Sequence, residues 1–168
     1  QATLIGITGS NGKTTTTMLM AHILKEAGLK SVAAGNIGDS FAKWVALDDQ
    51  DYYALEISSF QLDGIEKFAP HIAILTNITP DHLDRYEYEF ENYIRSKFRI
   101  AENQTEADYL IYDADDKVIV EWLEKHPVRS KLMPFSITKE LKQGAYYAQE
   151  KINIITDDTR MTMSTKNL

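Results

Sequence analysis

The chain has 168 residues, 43% hydrophobic and 26% charged, enough for one domain with its own core. Its net charge of -7 is spread out apart from short clusters such as Asp48, Asp49 and Asp51, which excludes a polyanion-binding surface and hence nucleic acid as a partner. The absence of cysteine excludes disulfides, thiolate metal sites and a cysteine nucleophile, and no apolar run reaches the roughly 20 residues that span a bilayer, so a cytoplasmic protein with no membrane partner is expected.

The first segment, Thr3 to Thr8, is short, β-branched and apolar and reads as a strand. Gly9-Ser10-Asn11-Gly12 turns it into a helix, in which Met20, Ile23, Leu24 and Ala27 are expected to form one buried stripe and Gly28 to end it. Strand-like Ser31 to Ala34, a Gly35-Asn36-Ile37-Gly38 loop, a helix near Ser40 to Leu47 and strand Tyr52 to Ile57 follow. The apolar strand His71 to Leu75 leads into a polar loop holding Asp81-His82-Leu83-Asp84. A helix from about Glu89 to Ala101 precedes strand Tyr109 to Tyr112. Asp113 to Asp116 supply capping groups for a helix carrying Val118, Ile119, Trp122 and Leu123, which Pro127 closes.

Strands apolar on both faces and separated by helices indicate an α/β fold of P-loop type, a mostly parallel sheet covered on both sides. After Met133 to Ser136 the character changes. Ala145 to Gln149, Ile152 to Thr156 and Arg160 to Ser164 are short segments, the last two joined at Asp157-Asp158, and predict a small antiparallel meander at one edge.

Ile7-Thr-Gly-Ser-Asn-Gly-Lys-Thr-Thr15 stands between a strand and a helix, where a phosphate loop belongs. Glycines let successive N–H groups turn inward to phosphate oxygens, and the helix adds its positive end. Lys13 would neutralise the β and γ phosphates and the Thr14 hydroxyl would ligate Mg²⁺. The strict pattern requires glycine at position 7, where Ile7 stands, with Gly9 instead; the competing account is an ordinary glycine turn beside an exposed lysine.

Glu56 ends a nearly continuous apolar strand, on the edge where ligands of open parallel sheets bind, and so is placed to reach a metal; alternatively it has already turned to solvent. His82 follows another core strand on the same edge and is either part of that site or a hydrogen-bonded cap. Lys97 falls in the apolar stripe of Phe90, Tyr93, Ile94, Phe98 and Ala101. It either snorkels outward along its stem or serves near phosphate or metal.

These residues resemble the Mur ligases and folylpolyglutamate synthases, whose phosphate loop departs from the general pattern in the same way. Gly35-Asn-Ile-Gly38, Leu55-Glu-Ile-Ser-Ser-Phe-Gln-Leu62 and Asp81-His-Leu-Asp-Arg-Tyr86 extend the likeness. Ser58-Ser-Phe-Gln-Leu62 looks most like the D-glutamate-adding member. The likeness covers almost the whole chain but only the middle of a three-domain enzyme. It implies a fragment, with the UDP-gripping N-terminal domain and the C-terminal domain absent. The abrupt start at Gln1 and the end at Leu168 fit that expectation.

The resemblance implies that Gly9, Ser10, Asn11, Gly12, Lys13, Thr14 and Thr15 bind ATP. It also implies that Thr14 and Glu56 hold a first Mg²⁺, that His82 holds a second, and that Lys97 carries an N-carbamate that helps hold metal. Asn36, Ser58 and Gln61 are implied to face UDP-N-acetylmuramoyl-L-alanine. That substrate's carboxylate would become an acyl phosphate, which the amine of D-glutamate then displaces, in a monomeric enzyme. A folate-type polyglutamyl ligase and a P-loop switch or plain nucleotide-binding module remain as alternatives; the Ser58–Leu62 run argues against the folate type.

Overall fold

The computed structural model describes residues 2–47 and 49–166. Gln1 and Leu168, which entered the expectation of a fragment, lie outside the described residues, as do Asn167 and Asp48 of the acidic cluster. Nine strands form one sheet: β1 (Thr3–Thr8), β2 (Ser31–Gly35), β3 (Tyr52–Glu56), β4 (Ile72–Leu75), β5 (Tyr109–Asp113), β6 (Lys131–Ser136), β7 (Gly144–Ala148), β8 (Lys151–Ile155) and β9 (Arg160–Ser164). Their spatial order is β2-β3-β1-β4-β5-β6-β7-β8-β9. The sheet is parallel from β2 to β7, and β8 and β9 are antiparallel, so the predicted mostly parallel sheet with an edge meander is the observed one.

The helices are α1 (Lys13–Glu26), α2 (Phe41–Leu47), α3 (Ser59–Asp63), α4 (Phe90–Phe98) and α5 (Lys117–Lys125). The larger core lies on one face, where Leu55, Leu62, Leu75, Tyr93, Phe98, Leu110 and Ile119 are buried together with side chains of α2 to α5. On the other face Ile5, Ile7, Ala54 and Ile74 pack against Met20, Ala21 and Leu24 of α1. The cover is therefore uneven, with four helices on one side and α1 on the other among the described residues.

The α1 stripe differs from expectation. Thr17, Met20, Ala21 and Leu24 face the sheet, whereas Ile23 is 53% exposed and Ala27 is exposed beyond the last helical turn. At about 100° per residue, Ile23 lies roughly 110° from the middle of the arc that buries Thr17 and Leu24. The small side chains of Thr17 and Ala21 allow close approach to the sheet, so the helix rolls onto them rather than onto the larger Ile23.

Helix α3 was not anticipated. Ser58 accepts from the Gln61 amide, and Gln61 Oε1 accepts from the Ser58 amide at 2.9 Å, which is a capping box in the Ser-x-x-Gln pattern. The predicted 89–101 helix ends as α4 at Phe98 and continues as a 3₁₀ turn, Arg99–Ala101.

The turn that leaves β6 is built on Asp115. Its carboxylate accepts from Ser136 Oγ (2.8 Å), Thr138 Oγ1 (2.6 Å) and the amides of Ile137 (2.8 Å) and Thr138 (3.2 Å).

Leu110 is fully buried between β4 and β6, so Leu110→Ala should cost about 2–5 kcal/mol of stability. Ile23→Ala, on the outer face of α1, should change it by less than about 0.5 kcal/mol. Chemical denaturation of both variants measures the difference, and equal losses would contradict the observed helix orientation.

Candidate functional site

The loops after β1 and β3 lead to helices on opposite faces of the sheet, which opens a crevice at the carboxyl ends of β1, β3 and β4. Register then fixes the neighbours. Ile7 stands beside Glu56, Gly35 beside Glu56, and Thr8 beside Leu75, so Gly9, Asn36, Glu56 and Thr76 meet on one rim.

In the phosphate loop, Gly9 has φ +146 and Gly12 φ +80. A side chain at position 9 would run into Thr76 Oγ1, so glycine is required there by close packing as well as by backbone conformation. Helix α1 starts from Gly12 with no side-chain cap and no acidic residue in its first turn. The amides of Lys13, Thr14 and Thr15 therefore face the crevice edge without a capping acceptor, as at an anion-binding helix end. Lys13 Nζ curls back over the loop and donates to the carbonyls of Gly9 and Ser10, each at 2.9 Å.

Glu56 is 3% exposed. One carboxylate oxygen accepts from Thr14 Oγ1 at 2.6 Å and the other from Asn36 Nδ2 at 3.0 Å. The sequence alternative in which Glu56 turns to solvent is thus overturned. Glu56, Thr14 and Asn36 form one connected group, and Asn36 touches the carboxylate directly.

Lys97 is 2% exposed, and its amine lies inside, donating to Gly9 O at 2.9 Å and Thr8 Oγ1 at 3.3 Å. Snorkelling is excluded. The Tyr93 ring lies 5.3 Å from the amine, and the Tyr93 hydroxyl meets Ser10 Oγ at 3.0 Å. Burial, reinforced by the charge of Lys13, lowers the Lys97 pKa to about 7, against a partial pull upward from Asp81, Asp63 and Glu56.

His82 stands on the same rim but further out. Its side chain is 57% exposed, its Nε2 is 3.6 Å from Asp81 Oδ2, and its ring meets Phe60 edge-on at 5.4 Å. It does not contact Lys13, Glu56 or Lys97. Ser58 and Gln61 follow β3 on this rim, with their side chains engaged in the α3 capping box. The sequence reading missed Thr76, Asn77 and Thr79, which bond the phosphate loop directly. Two polar residues immediately after the apolar strand β4, next to β1, were the available signal.

The family described as the Mur ligase middle domain matches residues 7–168. The chain belongs to this family. It is 66% identical over 165 residues to a UDP-N-acetylmuramoylalanine--D-glutamate ligase of Christiangramia forsetii, covering 98% of this chain and 37% of that one. A Bacteroides fragilis protein of the same name is 50% identical over 167 residues, again covering 99% and 37%. The chain thus spans little more than a third of these curated relatives. Among solved structures, a UDP-N-acetylmuramoyl-L-alanyl-D-glutamate--2,6-diaminopimelate ligase superposes with a TM-score of 0.70 at 20% identity, covering 97% of this chain and 39% of that one. MurF ligase from Thermotoga maritima in complex with ADP gives 0.68 at 18% identity, covering 98% and 39%. These structures share the Mur middle-domain fold.

The Lys97 pKa falls from 10.5 to about 7 on folding, so between those pH values the unfolded chain binds more protons and stability rises with pH. With the amine unmodified, Lys97→Met should gain most over the parent at or below pH 7, and the gap should close as pH climbs toward 10.5. Denaturation midpoints across that window test this; a pH-independent gap would mean the amine titrates normally.

Proposed function

We propose that this domain is the ATP-binding core of a cytoplasmic, monomeric ligase that adds D-glutamate to UDP-N-acetylmuramoyl-L-alanine in peptidoglycan precursor synthesis. The observation that carries the proposal is the convergence of Lys13, the open N-terminus of α1, the Thr14–Glu56–Asn36 group and buried Lys97 on one rim. The identity to relatives of that name, and the Ser58–Leu62 run, favour this substrate pair over a folate-type acceptor. Domains before and after this one would grip the UDP moiety and close over ATP and the amino acid.

Glu56 fits a hard divalent cation. It is a buried carboxylate bonded to neutral donors, and no ion pair reaches it among the described residues. No group of three His, Asp or Glu residues forms a cage among the described residues, which suits Mg²⁺, whose remaining ligands are commonly water and substrate phosphate. Thr14 and Glu56 would hold one ion and His82, with carbamylated Lys97, would help hold a second. Bound Mg²⁺ neutralises charge on the transferring phosphoryl group.

The chain's own residues act by position. Lys13 exchanges the carbonyls of Gly9 and Ser10 for phosphate oxygens, and the first-turn amides of α1 meet the same anion. Asn36 holds Glu56, and with Ser58 and Gln61 lines the approach of the muramoyl substrate. The substrate carboxylate attacks the γ-phosphorus and ADP leaves. The amine of D-glutamate then attacks the acyl carbon, phosphate leaves and the amine proton passes to solvent. A Lys97 pKa near 7 supplies the uncharged amine that carbamylation needs: nitrogen adds to CO₂, loses a proton and becomes an anionic carbamate.

In the full-length enzyme, Lys13→Ala should lower ATP turnover by on the order of a thousandfold with the fold intact by circular dichroism. Phosphate release that does not depend on D-glutamate would favour a P-loop switch instead. Lys97→Ala should lose activity and regain part of it with a small carboxylate, and labelled bicarbonate should give a carbamate signal in the parent; a freely titrating amine in the active enzyme would rule the modification out. These 168 residues alone should show little ligase turnover, because acceptor placement depends on the other domains.

A further inference from the structure

Residues 76–79, immediately after β4, lie along the phosphate loop and bond its main chain at successive positions. Asn77 O accepts from the Ser10 amide at 2.9 Å. The Asn77 side chain makes a two-point contact with the Asn11 backbone: Oδ1 accepts from the amide at 2.9 Å and Nδ2 donates to the carbonyl at 3.0 Å. Thr76 Oγ1 donates to the same Asn11 carbonyl at 2.7 Å, and Ser10 Oγ exchanges hydrogen bonds with the amide and carbonyl of Thr79 at 2.9 and 2.8 Å. The carboxamide of Asn77 therefore does for Asn11 what a neighbouring strand does in a ladder, at a point where the loop has left the sheet.

The strap is itself anchored. The Ile78 amide donates to Asp116 Oδ2 at 2.7 Å, while Asp116 Oδ1 caps α5 through the amides of Val118 and Ile119. Its closeness is independently recorded at Gly9, where any Cβ would collide with Thr76 Oγ1 and crowd the Asn77 backbone.

We infer that Asn77 is a positioning residue that holds the phosphate loop in its binding shape before nucleotide arrives. The inference rests on reading residues 9–15 as the ATP cradle. A peptide loop left free to sample other conformations binds more weakly by the fraction of time it spends closed. Removing the two-point contact leaves the Asn11 amide without its acceptor and the Asn11 carbonyl with Thr76 Oγ1 alone, which loosens the turn that aims the α1 amides.

The test uses the full-length enzyme with ATP and magnesium. Asn77→Ala should raise the Kd for ATP by about tenfold or more, the loss expected for one or two hydrogen bonds that order the loop. KM for UDP-N-acetylmuramoyl-L-alanine and for D-glutamate should stay at the parental value, as should the melting temperature. Asn77→Asp, isosteric with the parent, should also weaken ATP binding, because it replaces the donor to the Asn11 carbonyl with a charged acceptor near the phosphates; it also covers failure of the alanine variant to fold. Unchanged ATP affinity in both variants would overturn the inference, as would a parallel rise in all three KM values with a lowered melting temperature. A parent enzyme that does not bind ATP at all would sink the cradle reading itself, a different result from a binding parent with indifferent Asn77 variants.

Discussion

The site depends on the peptide unit at Gly9, where β1 leaves the sheet. Its carbonyl accepts from both Lys13 and Lys97, and its missing side chain lets the segment after β4 close on the loop. Two ammonium groups on one carbonyl oxygen are held there by covalent geometry and packing rather than by mutual attraction. Lys13 has a flexible stem and a route to solvent, whereas Lys97 is enclosed by Tyr93, Thr8 and the loop. Burial, reinforced by the neighbouring charge of Lys13, lowers the proton affinity of Lys97.

Glu56 shows the opposite sign of the same constraint. A carboxylate on a core strand is costly to bury, and this one is satisfied by a hydroxyl and an amide rather than by a cation. Cationic charge stands on the β1 side of the rim and anionic charge on the β3 side. A triphosphate with a divalent cation is the kind of ligand whose own charges alternate in that way.

Much of the fold was legible because parallel strands and amphipathic helices carry their period in the sequence. The β1-turn-α1 unit, the apolar strands and the stripe of α4 with Lys97 inside it were all visible there. What the sequence could not convey was depth. Nothing local distinguishes Ile23 from Leu24 as the residue α1 buries, since the choice comes from how closely Thr17 and Ala21 let the helix approach. Ser58 and Gln61 fit a capping pattern, yet a short helix directly after a strand has too few turns to announce itself by period. The site residues on β1 and β3 could be proposed because they end strands. Asn77 was marked only as a polar residue close after β4; its contact with the main chain of Asn11 crosses a sequence separation that no spacing rule covers.

Asp115 gives the turn after β6 an unusual property. Burial works against its charge, yet the hydrogen bonds from Thr138, Ser136 and the Ile137 and Thr138 amides hold its pKa down to about 2. A carboxylate of ordinary acidity, near 3.8, would be half neutral well before that point. The turn that carries the chain out of β6 therefore keeps its charged acceptor in acid strong enough to discharge a carboxylate of ordinary acidity.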